Sequence, residues 1–138
     1  MSRQSFLASA ALATFVLLAG TACGGGLSTQ RAREQLRALR EAPVDSPQRA
    51  ADLSRRLEHA VEAEALEGLR RTEVVDLLGR GTPCSRMPEC TRRGFRPDDL
   101  YYALGEPTGG YAGRRPVLIV GFDRFDRVER TWTLAVAP

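Results

Sequence analysis

The chain has 138 residues and a net charge of only +3, which sizes it for one ordinary domain and excludes a strong polyanion binder. Its twenty basic residues are all Arg, with no Lys and no Asn, a bias that fits an Arg- and Ala-rich coding background better than a demand for guanidinium groups. One His and three Cys leave few of the groups that nucleophilic, general-base or zinc chemistry requires.

The N-terminus has the pattern of a targeting segment. Arg3 supplies a positive start, and Phe6 to Ala19 is an apolar run interrupted only by Ser9 and Thr14. That run is too short for a bilayer span, which needs about 20 apolar residues. It ends in Gly20-Thr21-Ala22-Cys23 followed by three glycines, which resembles a bacterial lipoprotein signal. The resemblance implies a signal peptide over 1–22 and lipidation (palmitate among the acyl chains) at Cys23. It also implies sorting to the periplasmic face of the outer membrane, because Gly24 rather than Asp follows the Cys. An ordinary secretory cleavage site would use the same small residues, but the glycine run suits a tether. Residues 23–45 are then expected as a lipid-anchored linker, and 46–138 as the folded domain.

Within the linker, Ala32, Leu36 and Leu39 form a thin apolar stripe over Arg31 to Glu41, which predicts a short, frayed helix. The first strong start signal follows it. Ser46 can cap, Pro47 suits the first helical position, and Ala50, Leu53, Leu57, Ala60, Val61 and Ala65 recur at helical spacing as far as Leu69. The other face of this helix is mostly acidic and reads as solvated; His59 lies there without companions. Gly68-Leu69 breaks the helix. A second one, capped by Thr72, carries Val74, Val75, Leu77 and Leu78 and stops at Gly79.

Arg80 to Pro97 is expected to be irregular. It holds five arginines against Glu89 alone, together with Cys84 and Cys90. In an oxidising periplasm a disulfide is the default for such a pair, since zinc would want four ligands and no other Cys or His is near. Leu100 to Leu104 is an aromatic strand, Gly105 to Gly113 a glycine-rich loop, and Pro116 to Val136 a hairpin. Val117 to Phe122 is apolar on both faces, as in a buried central strand. Val128, Trp132, Leu134 and Val136 alternate with Glu129, Thr131 and Thr133, and only Arg130 breaks the apolar face. Asp126 in the turn can take the left-handed conformation that a short hairpin needs. The expected fold class is therefore α+β, with two helices packed on a three-stranded antiparallel meander (ααβββ).

Three stretches carry a resemblance to one family, whose aromatic strand is similar to Leu100-Tyr101-Tyr102. Gly68-Leu69-Arg70-Arg71-Thr72-Glu73-Val74, continuing to Leu78-Gly79, is similar to the helix-start segment of the SmpA/OmlA family of small outer-membrane lipoproteins. Phe122-Asp123-Arg124-Phe125-Asp126-Arg127-Val128 resembles that family's hairpin, with Asp126 where the family has a turn glycine and Arg70 where it has a capping hydroxyl. One member is an accessory subunit of the β-barrel assembly machinery. The resemblance implies a non-catalytic scaffold or accessory factor in outer-membrane protein assembly. A periplasmic inhibitor or ligand-binding module that caps a partner protein is the alternative.

No catalytic set, metal site or cofactor is expected. Asp98 and Asp99 are adjacent at a strand entrance and should point apart, while Asp123 and Asp126 serve a turn. The expected partners are the membrane, through the lipid anchor, and an envelope protein; nucleic acid is not among them, and the chain is expected to be a monomer. Arg80, Arg86, Arg92, Arg93 and Arg96 are candidates for an anionic head-group site, provided that they converge on one surface. Phe125, Tyr101 and Tyr111 are candidate partner contacts.

Overall fold

The computed structural model describes residues 24–136, with side chains from 29 onward; the leader and Cys23 lie outside the described residues. The elements in order are α1 (Gly24–Arg40), β1 (Pro43–Val44), α2 (Pro47–Glu62), α3 (Arg71–Leu78), β2 (Thr82–Pro83), a 3-10 turn (Cys84–Arg86), α4 (Pro88–Arg92), β3 (Leu100–Ala103), β4 (Glu106–Pro107), β5 (Val117–Phe122) and β6 (Val128–Leu134). The fold is α+β, but the expected ααβββ meander is overturned. Among the described residues there are four helices and six strands, in an antiparallel sheet of order β2-β3-β5-β6 and a parallel pair β1-β4.

Each extra element was too short to show a period. β1, β2 and β4 are two residues long, and each contains a proline that cannot donate to a ladder. Pro83 is accommodated because β2 is an edge strand. The β1-β4 pair closes the glycine-rich loop against the α1–α2 connection, as Glu106 N–H donates to Ala42 O (2.8 Å) and Thr108 N–H to Val44 O (3.0 Å). Gly105 makes that approach possible: its φ is +86°, and a Cβ there would lie 2.5 Å from Val44 Cγ2.

The thin stripe of α1 is fully used. Ala32, Leu36 and Leu39 are buried in one cluster with Leu53 and Leu57 of α2, Val74 and Leu78 of α3, and Leu118, Val120 and Phe122 of β5. The core therefore begins upstream of residue 46. α2 is capped as expected, with the Ser46 hydroxyl accepting from Arg49 N–H (3.3 Å). It stops at Glu62 rather than near Leu69, because Glu64 turns into the left-handed region (φ 56°) and redirects Ala65 and Leu66 into the core. At Gly79, also left-handed (φ 81°), α3 ends as expected.

β5 is buried on both faces, but by unlike layers. Leu118, Val120 and Phe122 meet the helices. Val117 and Ile119 meet Cys84, Cys90, Met87, Phe95, Trp132 and Leu134, so the stapled segment that sequence left irregular is the sheet's second cover. A bulge near Gly121 and Phe122 divides the expected apolar face of β6. Phe122 pairs with Val128 and Gly121 with Arg130, so Glu129 is the extra residue. Val128 then packs with the helical cluster while Trp132 and Leu134 pack with the disulfide; Val136, past the end of β6, returns to the helical cluster.

Candidate functional site

The hairpin tip is built from its own backbone outward. Asp123 Oδ1 accepts from Phe125 N–H (2.8 Å) and Arg127 N–H (3.0 Å), and Asp123 N–H donates to Arg127 O (2.8 Å). The Arg127 amide, joined by that of Phe125, holds the Asp123 carboxyl below its ordinary value, against a smaller opposing effect of desolvation. Asp126 takes the left-handed conformation (φ 62°) expected of it.

This turn is clamped to the start of α3. Arg70 has no acceptor with which to cap the helix, so the reciprocal bond carries the cap: Glu73 Oε2 accepts from Arg70 N–H at 2.7 Å. The next orphan donor, Arg71 N–H, is satisfied across the fold by Asp126 O (2.9 Å). Arg71 then reaches over the Phe122 ring (3.9 Å to its centroid), donates through Nε to Asp126 Oδ1 (2.6 Å) and through Nη1 to Asp98 O (3.2 Å). Val128 N–H to Leu69 O (2.8 Å) and Arg127 Nη1 to Gly68 O (3.1 Å) complete the junction. Two of the three stretches that carried the family resemblance, residues 68–79 and 122–128, thus dock on each other.

At the apex sits Phe125. It is 68% exposed, the only large hydrophobic side chain so exposed among the described residues, with the Arg124 guanidinium 4.7 Å from its ring centroid. It lines a shallow depression with Arg96, Asp123, Arg124 and Glu129.

Cys84 and Cys90 form the expected disulfide, with Cα atoms 5.3 Å apart. It holds the 3-10 turn and α4 over the sheet, and Phe95 meets the Trp132 ring edge-on (centroids 4.8 Å apart). The five candidate arginines around it do not share one concavity. Arg96 bonds Glu129 Oε2 (3.3 Å) and Phe122 O (3.4 Å) beside the hairpin tip, and Arg93 faces Glu89 (3.9 Å) along α4. Arg86 and Arg92 are exposed. Arg80 lines a separate groove with Arg40, Arg115, Leu78, Met87 and Tyr101, at the end of β3 that outruns β2; the other four candidates do not line it.

Of the tyrosines, Tyr101 is half-buried between that groove and the disulfide cluster. Desolvation raises its phenol pKa, followed by the charge of Glu89. Tyr111 is half-buried against the helical core, and its hydroxyl donates to Arg114 O (3.0 Å). Tyr102 is buried and donates to Gly79 O (3.1 Å); burial pushes its pKa up to about 12. The acidic residues that sequence considered do diverge. Asp98 faces Arg71 (4.0 Å), whereas Asp99 is buried and accepts from Arg96 N–H (2.9 Å). His59 is exposed, with Glu62 at 3.9 Å.

Sequence reasoning missed Arg71, Arg40 and Arg115. Arg71 is one of an Arg-Arg pair whose partner lies 55 residues away, so no local signal marks it. Arg40 and Arg115 gain meaning only when α1 joins the core and brings its last turn to β3. Among the described residues, no helix is long and apolar enough to cross a membrane, and no group of three or more His, Cys, Asp or Glu is placed to hold a metal ion. No family model, curated protein or solved structure matches the chain.

Proposed function

We propose that this chain is a non-catalytic, lipid-anchored envelope protein that acts as a scaffold or accessory factor in outer-membrane protein assembly, in the manner of the SmpA/OmlA lipoproteins it resembles. It meets its partner through the hairpin tip. The observation that carries the reading is Phe125, a large apolar side chain left in solvent at the apex of a turn that is fixed from both sides. A preorganised aromatic needs little further ordering on binding, and Phe is enriched in interface cores. The titratable groups around it have structural work: Asp123 holds the turn, and Asp126 and Asp98 hold Arg71. Further support comes from the sequence of the leader, in which the Cys23-Gly24 junction follows a short apolar run.

The test is a photo-crosslinking amino acid at position 125 of the full chain, activated in intact envelopes and followed by recovery of the crosslinked partner. Components of the barrel-assembly machinery are expected. Recovery of a single soluble periplasmic enzyme instead would overturn the scaffold role in favour of an inhibitor.

A further inference from the structure

We propose that the groove bounded by Arg40, Arg80 and Arg115 binds a phosphate-bearing ligand that has an apolar body. Three arginines line one concavity from three separate elements: the last turn of α1, the loop after α3, and the approach to β5. Among the described residues, no acidic side chain lines it. Arg115 spends Nη1 on Gly105 O (2.6 Å), and Arg40 is paired with Glu41, so each fork keeps further donors. Arg80 is exposed and makes no hydrogen bond or ion pair among the described residues. A single carboxylate is satisfied by one fork; three forks around one space match an anion with two charges and several acceptor oxygens. Leu78, Met87 and Tyr101 give that space an apolar side, and its volume of about 380 Å³ suits a small organic ligand rather than a bare ion. The site is separate from the hairpin tip and depends on neither the assembly role nor the lipid anchor.

The phosphoryl group could belong to a soluble monoester or to a lipid head group, and two probes separate these sources. The chain from Gly24 onward, which holds every described element and carries neither the leader nor an acyl anchor, is titrated at low salt with phenyl phosphate and with inorganic phosphate. It is also floated with phosphatidylglycerol vesicles. Phenyl phosphate is expected to bind more tightly than inorganic phosphate. Arg80→Gln should weaken its binding about tenfold, the loss of one charge-assisted contact. Arg92→Gln removes the same charge outside the groove and should leave binding unchanged. Arg115→Gln also loses the Gly105 bond, so Arg80→Gln, whose side chain supports nothing else, is the decisive variant. Vesicle binding that needs Arg80, without phenyl phosphate binding, assigns the phosphate to a lipid. Equal weakening by the Arg80 and Arg92 variants, or no binding of either probe, overturns the site.

Discussion

One carboxylate oxygen of Asp123 organises the hairpin tip by accepting two backbone amides, and this makes the tip sensitive to acid. The depressed folded-state pKa means that the unfolded chain binds the proton first. The stabilisation is therefore complete above the ordinary aspartate range near pH ~4 and is lost as pH falls through the lower folded value. Hydrogen exchange at the Phe125 and Arg127 amides should speed up in that acid window beyond its intrinsic rate. In Asp123→Asn, which has no proton to bind there, the excess should vanish. A second position stores strain. Glu64 sits at φ 56°, and its hydrogen bond with Glu67, followed by its charge, pushes the Glu67 carboxyl up. Glu64→Gly relieves the backbone strain and should stabilise by ~0.5–1 kcal/mol, the relief exceeding the entropy that glycine adds to the unfolded chain. Thermal melting reads this as a rise of a few degrees. Asp126→Gly should not gain likewise, because there the side chain holds Arg71.

Among the elements, the disulfide flap does most to decide the state of the sheet. Without it Val117 and Ile119 lose their cover, along with one face of Trp132, the only tryptophan in the chain. Reduction, or replacement of Cys84 and Cys90 by Ser, should cost about 2 kcal/mol for so short a loop and shift Trp132 emission to longer wavelength. The flap also shows where sequence stopped being informative. Val117 to Phe122 announced two buried faces, but nothing local said that the second cover would be a cystine-stapled segment with a five-residue helix. α2, α3 and β6 were legible because each repeats an apolar period, and β5 because its six residues form an unbroken run without a charged or polar side chain. β1, β2 and β4 have no period, and pair only because distant loops bring them together. The same division holds at the candidate site. Asp123 and Asp126 behave as turn residues do anywhere, so the hairpin tip could be foreseen. The arginine groove could not, since its cations come from three elements and only Arg80 stood in the run that drew notice.

At the scale of the whole molecule, α1 belongs to the folded body, and its loss should be felt throughout. Leu36 is fully buried between α2 and the rest of the core, so Leu36→Ala should destabilise by ~2–5 kcal/mol in chemical denaturation. A peripheral frayed helix would show almost no change. The proposed anchor is tested at the same scale: Cys23→Ala should release the chain from membranes and leave its leader uncut. Retention after a high-salt wash would place the attachment elsewhere.

The clamp between Asp126 and the first turn of α3 has a further consequence in time. A chain is made from its N-terminus, so α1, α2 and α3 are complete while the strands that cover them are still unmade. The carbonyl that satisfies Arg71 N–H comes 55 residues later, and the Ser54 hydroxyl waits 82 residues to accept from Val136 N–H (3.0 Å). Until then Leu53, Leu57 and Val74 have no sheet beneath them, and such surfaces invite association. The last turn to emerge is therefore the one that closes the protein. Its folding rate should follow these long separations rather than the speed of its helices.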